Sequence, residues 1–352
     1  MAQLIDQVAF FEKYNIKEED FSNTKLTWEE LSNIYNDYLK KTPHLEEAAI
    51  SIFRSLSKMP HVHSVRYRVK DAEHLIEKII RKKVENPKRE ITITTYLTEI
   101  TDLIGIRVLH LFKEEWVTIH QSIIDTWNLK EAVIAYHRAG DDKNIFEENK
   151  CIPKEHKSGY RSIHYIIESQ PTKLRTYAEI QVRTIFEEAW SEIDHAVRYP
   201  YDMDNPLLSQ YLLIFNRLAG SADEMGVFIL SLRNHLKKIQ ADNAIIIQEK
   251  EEATRQLQAA IKQLKISEKE KKNLEAKLNN IQKPEIDTWA SISTPEWLNS
   301  FTAFNNSLNI FNEINTAYKP FQEIGRLARI AQPNLPPILP PQKASLKPQK
   351  KK

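Results

Sequence analysis

The chain has 352 residues, and 50 Lys+Arg against 48 Asp+Glu leave a formal charge of +2. That length can bury an enzyme-sized core with accessory helices, while the near balance of charge excludes a general polyanion binder and makes any attraction for phosphates a local matter. Cys151 is the only cysteine, which excludes an intrachain disulfide and a thiolate zinc site within one chain.

The chain contains no run of 18 apolar residues, so no membrane span is expected. Met1 to Phe11 lacks the basic start and apolar stretch of a signal peptide, and a cytoplasmic location is the expectation. Residues 3 to 59 read as helices. Thr27 followed by Glu30 has the spacing of a capping box, and His44 to Leu56 continues in helical period. From Val62 the period changes to two, placing Ser64, Arg66, Arg68 and Lys70 on one strand face. A helix from Asp71 to Lys83 follows, with Leu75, Ile79 and Ile80 turned inward. Ile91 to Tyr96 reads as extended, Ile104 to Phe112 as a buried strand and Ile119 to Trp127 as a helix.

A polar loop from Gly140 to Ser158 leads to a strand at Ser162 to Glu168. In the next strand, Thr176 to Arg183, alternation puts Tyr177, Glu179, Gln181 and Arg183 on one face and Ala178, Ile180 and Val182 on the other. A helix carrying Trp190, Asp194 and His195 completes the domain. Strands and helices mix without a regular βα repeat, which predicts an α+β domain over residues 61–228 after a helical segment at 1–60.

From Leu232, steps of four and three reach Ile281 with apolar residues at 11 of 15 positions; Asn243, Lys250, Ser267 and Lys271 are the exceptions. This predicts a coiled coil over 229–283 and a homo-oligomer. A helical segment is expected at 284–331. The tail at 332–352 has five lysines, six prolines and no acids, and is expected to be extended.

Several residues carry chemistry. Arg66, Arg68, Lys70 and Lys78 form a cationic set suited to a polyphosphate, or equally a strand edge guarded by charge. Asp102, at the mouth of the strand that holds Gly105 and Arg107, is placed to bind Mg²⁺ or to cap a turn. Glu179 on a neighbouring strand can share a metal with Asp102 or accept a proton from a sugar hydroxyl. Tyr160, after Gly159 in the run Lys157 to His164, can stack on a purine while Arg161 or His164 reaches polar groups; a tyrosine merely covering the sheet end has the same pattern. The pattern GxxxxGK[ST] is absent, so phosphate binding has to use side chains. His110, His120 and His156 match no metal spacing and read as surface or boundary residues. Glu187, Asp194 and Arg198 read as mutually orienting groups or as helix-surface ion pairs.

In order and spacing, Arg68-Val69-Lys70 with Lys78, Asp102 to Arg107, Gly159 to His164, and Glu179 to Thr184 followed by His195 and Tyr199 resemble the synthetase domain of the RelA/SpoT family. The resemblance runs from about His61 to Tyr199. It implies a mixed β-sheet flanked by helices, related to nucleotidyltransferase-like folds. It also implies transfer of pyrophosphate from ATP to the ribose 3′-hydroxyl of GDP or GTP, with Mg²⁺ as cofactor. ATP would meet Arg66, Arg68, Lys70, Lys78 and Arg107. The acceptor nucleotide would meet Lys157, Tyr160, His164, Gln181 and Arg183. Asp102 and Glu179 would hold the metal, and Glu179 would activate the hydroxyl. His74 stands where the family often has serine, and the approach to Gly159 is longer than usual. Acceptors other than GDP or GTP therefore stay open, including an adenine nucleotide or the 3′ end of tRNA, as in a tRNA-modifying toxin. A non-catalytic nucleotide-binding interaction protein is the remaining alternative. The segment before His61 is shorter than the family's hydrolase domain, so a synthetase alone is expected.

Overall fold

The computed structural model describes residues 4, 6–171, 173–198, 205–263 and 267–281. Packing divides the chain into residues 1–304 and 305–352, and every described residue lies in the first unit. The expected helical segment at 284–331, the tail and Tyr199 fall outside the described residues.

Three helices open the chain: α1 (Gln7–Tyr14), α2 (Glu18–Asn23) and α3 (Trp28–Leu56). The capping box at the start of α3 is formed, with Thr27 Oγ1 accepting from the Glu30 amide and the Glu30 carboxylate accepting from the Thr27 amide. One face of α3 buries Leu31, Ile34, Tyr38, Leu45, Ile52 and Leu56. Strand β1 (Ser64–Val69) leads directly to α4 (Ala72–Glu85), whose N-cap Asp71 accepts from the amides of Glu73 and His74. Lys70 sits between the two elements. There the buried Tyr38 donates its hydroxyl to the Lys70 carbonyl at 2.6 Å, tying the strand end to α3.

Residues 91–96 are not extended. Thr92 donates its amide to Thr95 Oγ1 at 2.9 Å, Thr95 Oγ1 donates to the Glu90 carbonyl at 3.0 Å, and a short helix, α5 (Tyr96–Glu99), follows. Alternating Ile and Thr imitates a strand, but the hydroxyls supply local backbone partners that favour a turn. Strand β2 (Ile104–His110), α6 (Trp116–Thr126) and β3 (Ile134–His137) come next. The segment expected as a polar loop at 140–158 contains α7 (Asn144–Glu148) and an edge strand, β4 (Ile152–Glu155). Pro153 inside β4 is tolerated because an edge strand has one side of its ladder unpaired. Neither β3 nor β4 is long enough to show a period in sequence. Strands β5 (Ser162–Ser169) and β6 (Thr176–Thr184) complete a sheet in the order β1-β2-β6-β5-β3-β4. The β2–β6 and β3–β4 pairs are parallel and the others antiparallel, as expected of a mixed sheet.

One face of the sheet is the core. Ile104, Ile106 and Val108 of β2, Ala178, Ile180 and Val182 of β6, and Tyr165 and Ile167 of β5 are buried there with apolar residues of α3 and α6. His120 Nδ1 of α6 lies 3.1 Å from the Tyr165 hydroxyl, and Phe53 of α3 meets the Tyr67 ring. His110 and His120, expected near the surface, are 2% and 4% exposed. His110 alternates into this face with the aliphatic residues of β2, His120 lies on the buried side of α6 with Ile119 and Ile123, and burial lowers the pKa of each imidazole.

Strand β6 passes without a loop into α8 (Ile185–Arg198). Thr184 caps that helix, accepting from the Glu187 amide while Glu187 accepts from the Thr184 amide. The helix α9 (Pro206–Gln263) then packs along α8. It starts well before residue 229, so the expected boundary at 228 falls inside one continuous helix. The heptad stripe from 232 to 281 does not lie on a single helix either. Ser267 is the N-cap of a new helix, α10 (Glu268–Ile281), pairing with Glu270, and α10 packs back on α9. Thr254, Ile261 and Leu278 are buried, whereas Leu236, Ile246, Leu257 and Leu274 of the stripe stay exposed.

Candidate active site

Strand alternation and register build the second face of the sheet in rows. Arg68, Gly105, Glu179 and Ile166 are neighbours in one row, and Arg66, Arg107, Gln181 and His164 in the next. A polar side chain at most positions of these rows is what a single solvated strand face cannot explain, because four strands supply them together. Gly105 leaves a gap that the Arg68 side chain fills: a Cβ there would lie 3.4 Å from Arg68 Nε.

Asp102, three residues before Gly105, is clasped by Lys70 at 3.1 Å and Lys78 at 2.5 Å, both on Oδ2. Helix α4 starts immediately after Lys70, so its second turn carries Lys78 to the same carboxylate. Burial raises the Asp102 pKa, but the two ammonium charges outweigh it and hold the carboxyl below its ordinary value. Oδ1 of Asp102 is buried and has no partner among the described residues. Burial lowers the pKa of Lys70, against the pull of Asp102.

Glu179 is held on both oxygens. His164 Nδ1 lies 3.2 Å from Oε1, and Gln181 Nε2 donates to Oε2 at 2.9 Å. The chain of contacts continues in both directions, for His164 Nε2 lies 3.0 Å from the Tyr160 hydroxyl and Arg183 Nη2 donates to Gln181 Oε1 at 3.2 Å. It closes on itself, since the Arg183 guanidinium lies over the Tyr160 ring, 5.6 Å from its centroid. Burial pushes Glu179 up, but the hydrogen bond and charge of His164 prevail, so its carboxyl titrates below the usual range. The charge of Asp102 acts on Glu179 in the opposite sense, which places the two carboxylates within electrostatic reach of each other.

The other expected residues divide. Arg66 and Arg68 are exposed on the edge strand β1. Arg107 is engaged by two carboxylates of α8, Glu188 at 3.0 Å and Glu192. Glu188 also forms an ion pair with Arg183 at 2.8 Å, so one buried carboxylate bridges a residue expected at each nucleotide. Lys157 is exposed in the turn before Gly159, and no hydrogen bond or ion pair joins it to the cluster among the described residues. Sequence reasoning missed Glu188, whose partners lie on separate strands, and Tyr136, whose ring stands 4.8 Å from His164 and 5.9 Å from Tyr160. A cavity of about 420 Å³ lies at the far ends of β2 and β6, lined by His110, Trp116, His137, Phe146, Arg161 and Thr184. His110, His137 and Thr184 alternate onto the core face, and Tyr136 and Arg183 also line the cavity, so it adjoins the cluster of Tyr160, His164 and Gln181 at those two residues.

Residues 67–204 match the family model of the region found in RelA / SpoT proteins. Over those residues the chain is similar to the RelA/SpoT family. "GTP pyrophosphokinase YwaC" of Bacillus subtilis is 30% identical over 150 residues, 41% of this chain and 62% of that protein. The match thus spans under two thirds of that relative's length. "GTP pyrophosphokinase YjbM" of the same organism is 23% identical over 184 residues, 51% of this chain and 76% of the relative. The crystal structure of small alarmone synthetase 1 from Bacillus subtilis aligns at 19% identity over 57% of this chain and 98% of that one, with a TM-score of 0.42. The RelA/SpoT region contains β1 to β6 except the first residues of β1, and it ends just before α9. Asp102, Glu179 and their partners lie inside it. The N-terminal helices, α9 and α10 lie outside.

Among the described residues, no cluster of three or more His, Cys, Asp or Glu side chains is disposed to hold a metal. The donor chemistry nevertheless fits a hard cation in one respect: Asp102 Oδ1 is a buried carboxylate oxygen without a partner among the described residues. No helix among the described residues is long and apolar enough to cross a membrane.

Proposed function

We propose that this protein transfers the pyrophosphate group of ATP to the ribose 3′-hydroxyl of GDP or GTP, giving (p)ppGpp and AMP. The single observation that carries the reading is that a carboxylate clasped by two lysines at the mouth of β2 lies within electrostatic reach of a carboxylate oriented by a histidine and an amide on the polar sheet face. In this reading Arg66, Arg68, Lys70, Lys78 and Arg107 draw ATP onto the face. Tyr160, His164, Gln181, Arg183 and Lys157 receive the acceptor.

The new bond joins the 3′-oxygen to the β-phosphorus of ATP, and the bond from that phosphorus to the bridging oxygen breaks, so the electron pair leaves with AMP. Glu179 accepts the hydroxyl proton. Its low pKa keeps it ionised at neutral pH, and His164 and Gln181 fix which way its oxygens point. Lys70 and Lys78 offset charge on the phosphates, as positioned cations do in phosphoryl transfer. Asp102 keeps those two ammonium groups together. A magnesium ion held by Asp102, with Glu179 beside it, would supply further charge neutralisation on the β- and γ-phosphates. Arg107 and Arg183 become available to nucleotides once Glu188 and Glu192 turn away.

Incubation with labelled ATP, Mg²⁺ and, separately, GDP, GTP, ATP or tRNA tests the proposal. Label on a guanine nucleotide is expected. Label only on tRNA, or on no acceptor, overturns it. We also propose self-association through the exposed stripe Leu236, Ile246 and Leu257 on α9, because apolar residues spaced by helical turns and left in water favour a partner. The double substitution Ile246→Glu and Leu257→Glu is expected to lower the subunit number measured by light scattering; an unchanged number rejects this surface.

A further inference from the structure

We propose that Asn216, on α9 beyond the RelA/SpoT region, is a positioning residue for the acceptor nucleotide, acting through the Gly159–Tyr160 peptide. The inference rests on the acceptor reading given above. Its basis is a line of contacts along one face of α9. The Leu212 carbonyl accepts from Trp190 Nε1 at 2.9 Å, Asn216 Nδ2 donates to the Gly159 carbonyl at 2.9 Å, and Asp223 accepts from the Thr184 hydroxyl at 3.0 Å. Between them the helix backbone at Gly220 closes on the Arg161 guanidinium, where a Cβ would lie 2.9 Å from Nη1. These contacts fall on residues flanking the proposed acceptor groups. Gly159 and Arg161 bracket Tyr160, and Thr184 follows Arg183.

Asn216 is 3% exposed and meets Gly159 from the side where a side chain would have been. A Cβ on Gly159 would lie 2.9 Å from Asn216 Oδ1, and the φ of +77° at Gly159 is a conformation that glycine adopts at little cost. The carbonyl that Asn216 grips belongs to the same planar unit as the Tyr160 amide and Cα. Fixing that oxygen therefore fixes the direction in which the Tyr160 side chain leaves the backbone, and with it the ring whose hydroxyl lies 3.0 Å from His164 Nε2. ATP, received by residues of β1, α4 and β2, depends on none of this.

The test compares wild-type protein with Asn216→Ala and with Asn216→Asp, which keeps the shape but replaces the donor by an acceptor. Steady-state kinetics give KM for ATP and for the guanine acceptor separately, and hydrogen exchange follows the amides of residues 156–162. The acceptor KM is expected to rise by about five- to thirtyfold, the range for a lost buried hydrogen bond, with the ATP KM unchanged and kcat falling less than the acceptor KM rises. Exchange in 156–162 is expected to speed up in both variants. If both KM values shift alike, or the acceptor KM does not move, the positioning role is overturned. Should wild-type protein transfer nothing to guanine nucleotides, the transfer reading fails by itself. Hydrogen exchange then decides the clamp separately, and unchanged exchange in Asn216→Asp rejects it.

Discussion

Lys78 reaches across from the second turn of α4 to Asp102 at 2.5 Å, on the oxygen that Lys70 already occupies, so the other oxygen of the carboxylate is left buried and unpartnered among the described residues. A carboxylate held in this way serves two purposes. It makes the burial of two ammonium groups tolerable, and it presents one oxygen for a cation.

Replacing the carboxylate tests both. Asp102→Asn leaves Lys70 and Lys78 facing each other without a counter-charge, and a loss of roughly 3 kcal/mol in unfolding free energy is expected. Transfer activity should fall by about 100-fold or more, because an amide oxygen replaces the anionic ligand. Denaturant titration and initial rates check the two effects separately. Activity within twofold of wild type would remove Asp102 from the mechanism.

The pH profile follows from Glu179. Its folded-state pKa lies below the unfolded value, so its contribution to stability is present above the ordinary carboxylate range and is lost as pH falls through the lowered pKa. Because the base is already ionised, the acid limb of kcat should lie below about pH 5. Glu179→Gln is expected to lower kcat by about 10²- to 10⁴-fold. A wild-type acid limb near neutrality that disappears in this variant would contradict the assignment.

Glu188 bridges Arg107 and Arg183, and the latter side chain is 1% exposed. Glu188→Ala leaves a guanidinium buried without its carboxylate, and a destabilisation of about 3 kcal/mol is expected from denaturant midpoints. The variant Glu192→Ala, whose carboxylate is 46% exposed, should cost less than about 1 kcal/mol. Equal effects would mean that burial is not what makes the first pair matter.

Asp223 is 1% exposed, and its pKa is pushed up to about 7 by burial and then by Glu187; its bond to Thr184 and the charges of Lys113 and Arg161 oppose the rise. A carboxyl whose folded pKa exceeds its unfolded value binds the proton more tightly when folded. Stability should therefore decline as pH rises from about 4 to about 7 and level off above. Asp223→Asn is expected to flatten that slope and raise the melting temperature at pH 8. A slope that persists in the variant would assign the titration elsewhere.

Legibility in the sequence followed the range of the interactions. The faces of β2 and β6 were readable because strand alternation is a local constraint, and the pairing of Thr27 with Glu30 because capping acts over three residues. Residues 91–96 were misread because threonine satisfies both a strand pattern and a hydroxyl-bonded turn, and only the competing hydrogen bonds decide. The α9–α10 break was hidden by Ser267, which a heptad count treats as a polar seam position and the structure uses as an N-cap.

Sequence alone determined the charged and aromatic inventory, the strand faces and the RelA/SpoT motifs, since each depends on residues close together in the chain. Tertiary structure decided which charges neutralise one another. Lys78 with Asp102, Arg107 and Arg183 with Glu188, and Asn216 with Gly159 are separated by 24, 81, 5 and 57 residues. Three of these four pairings exist only because the sheet order and α9 bring distant segments together. The fourth spans a strand-to-helix turn whose direction no local period specifies.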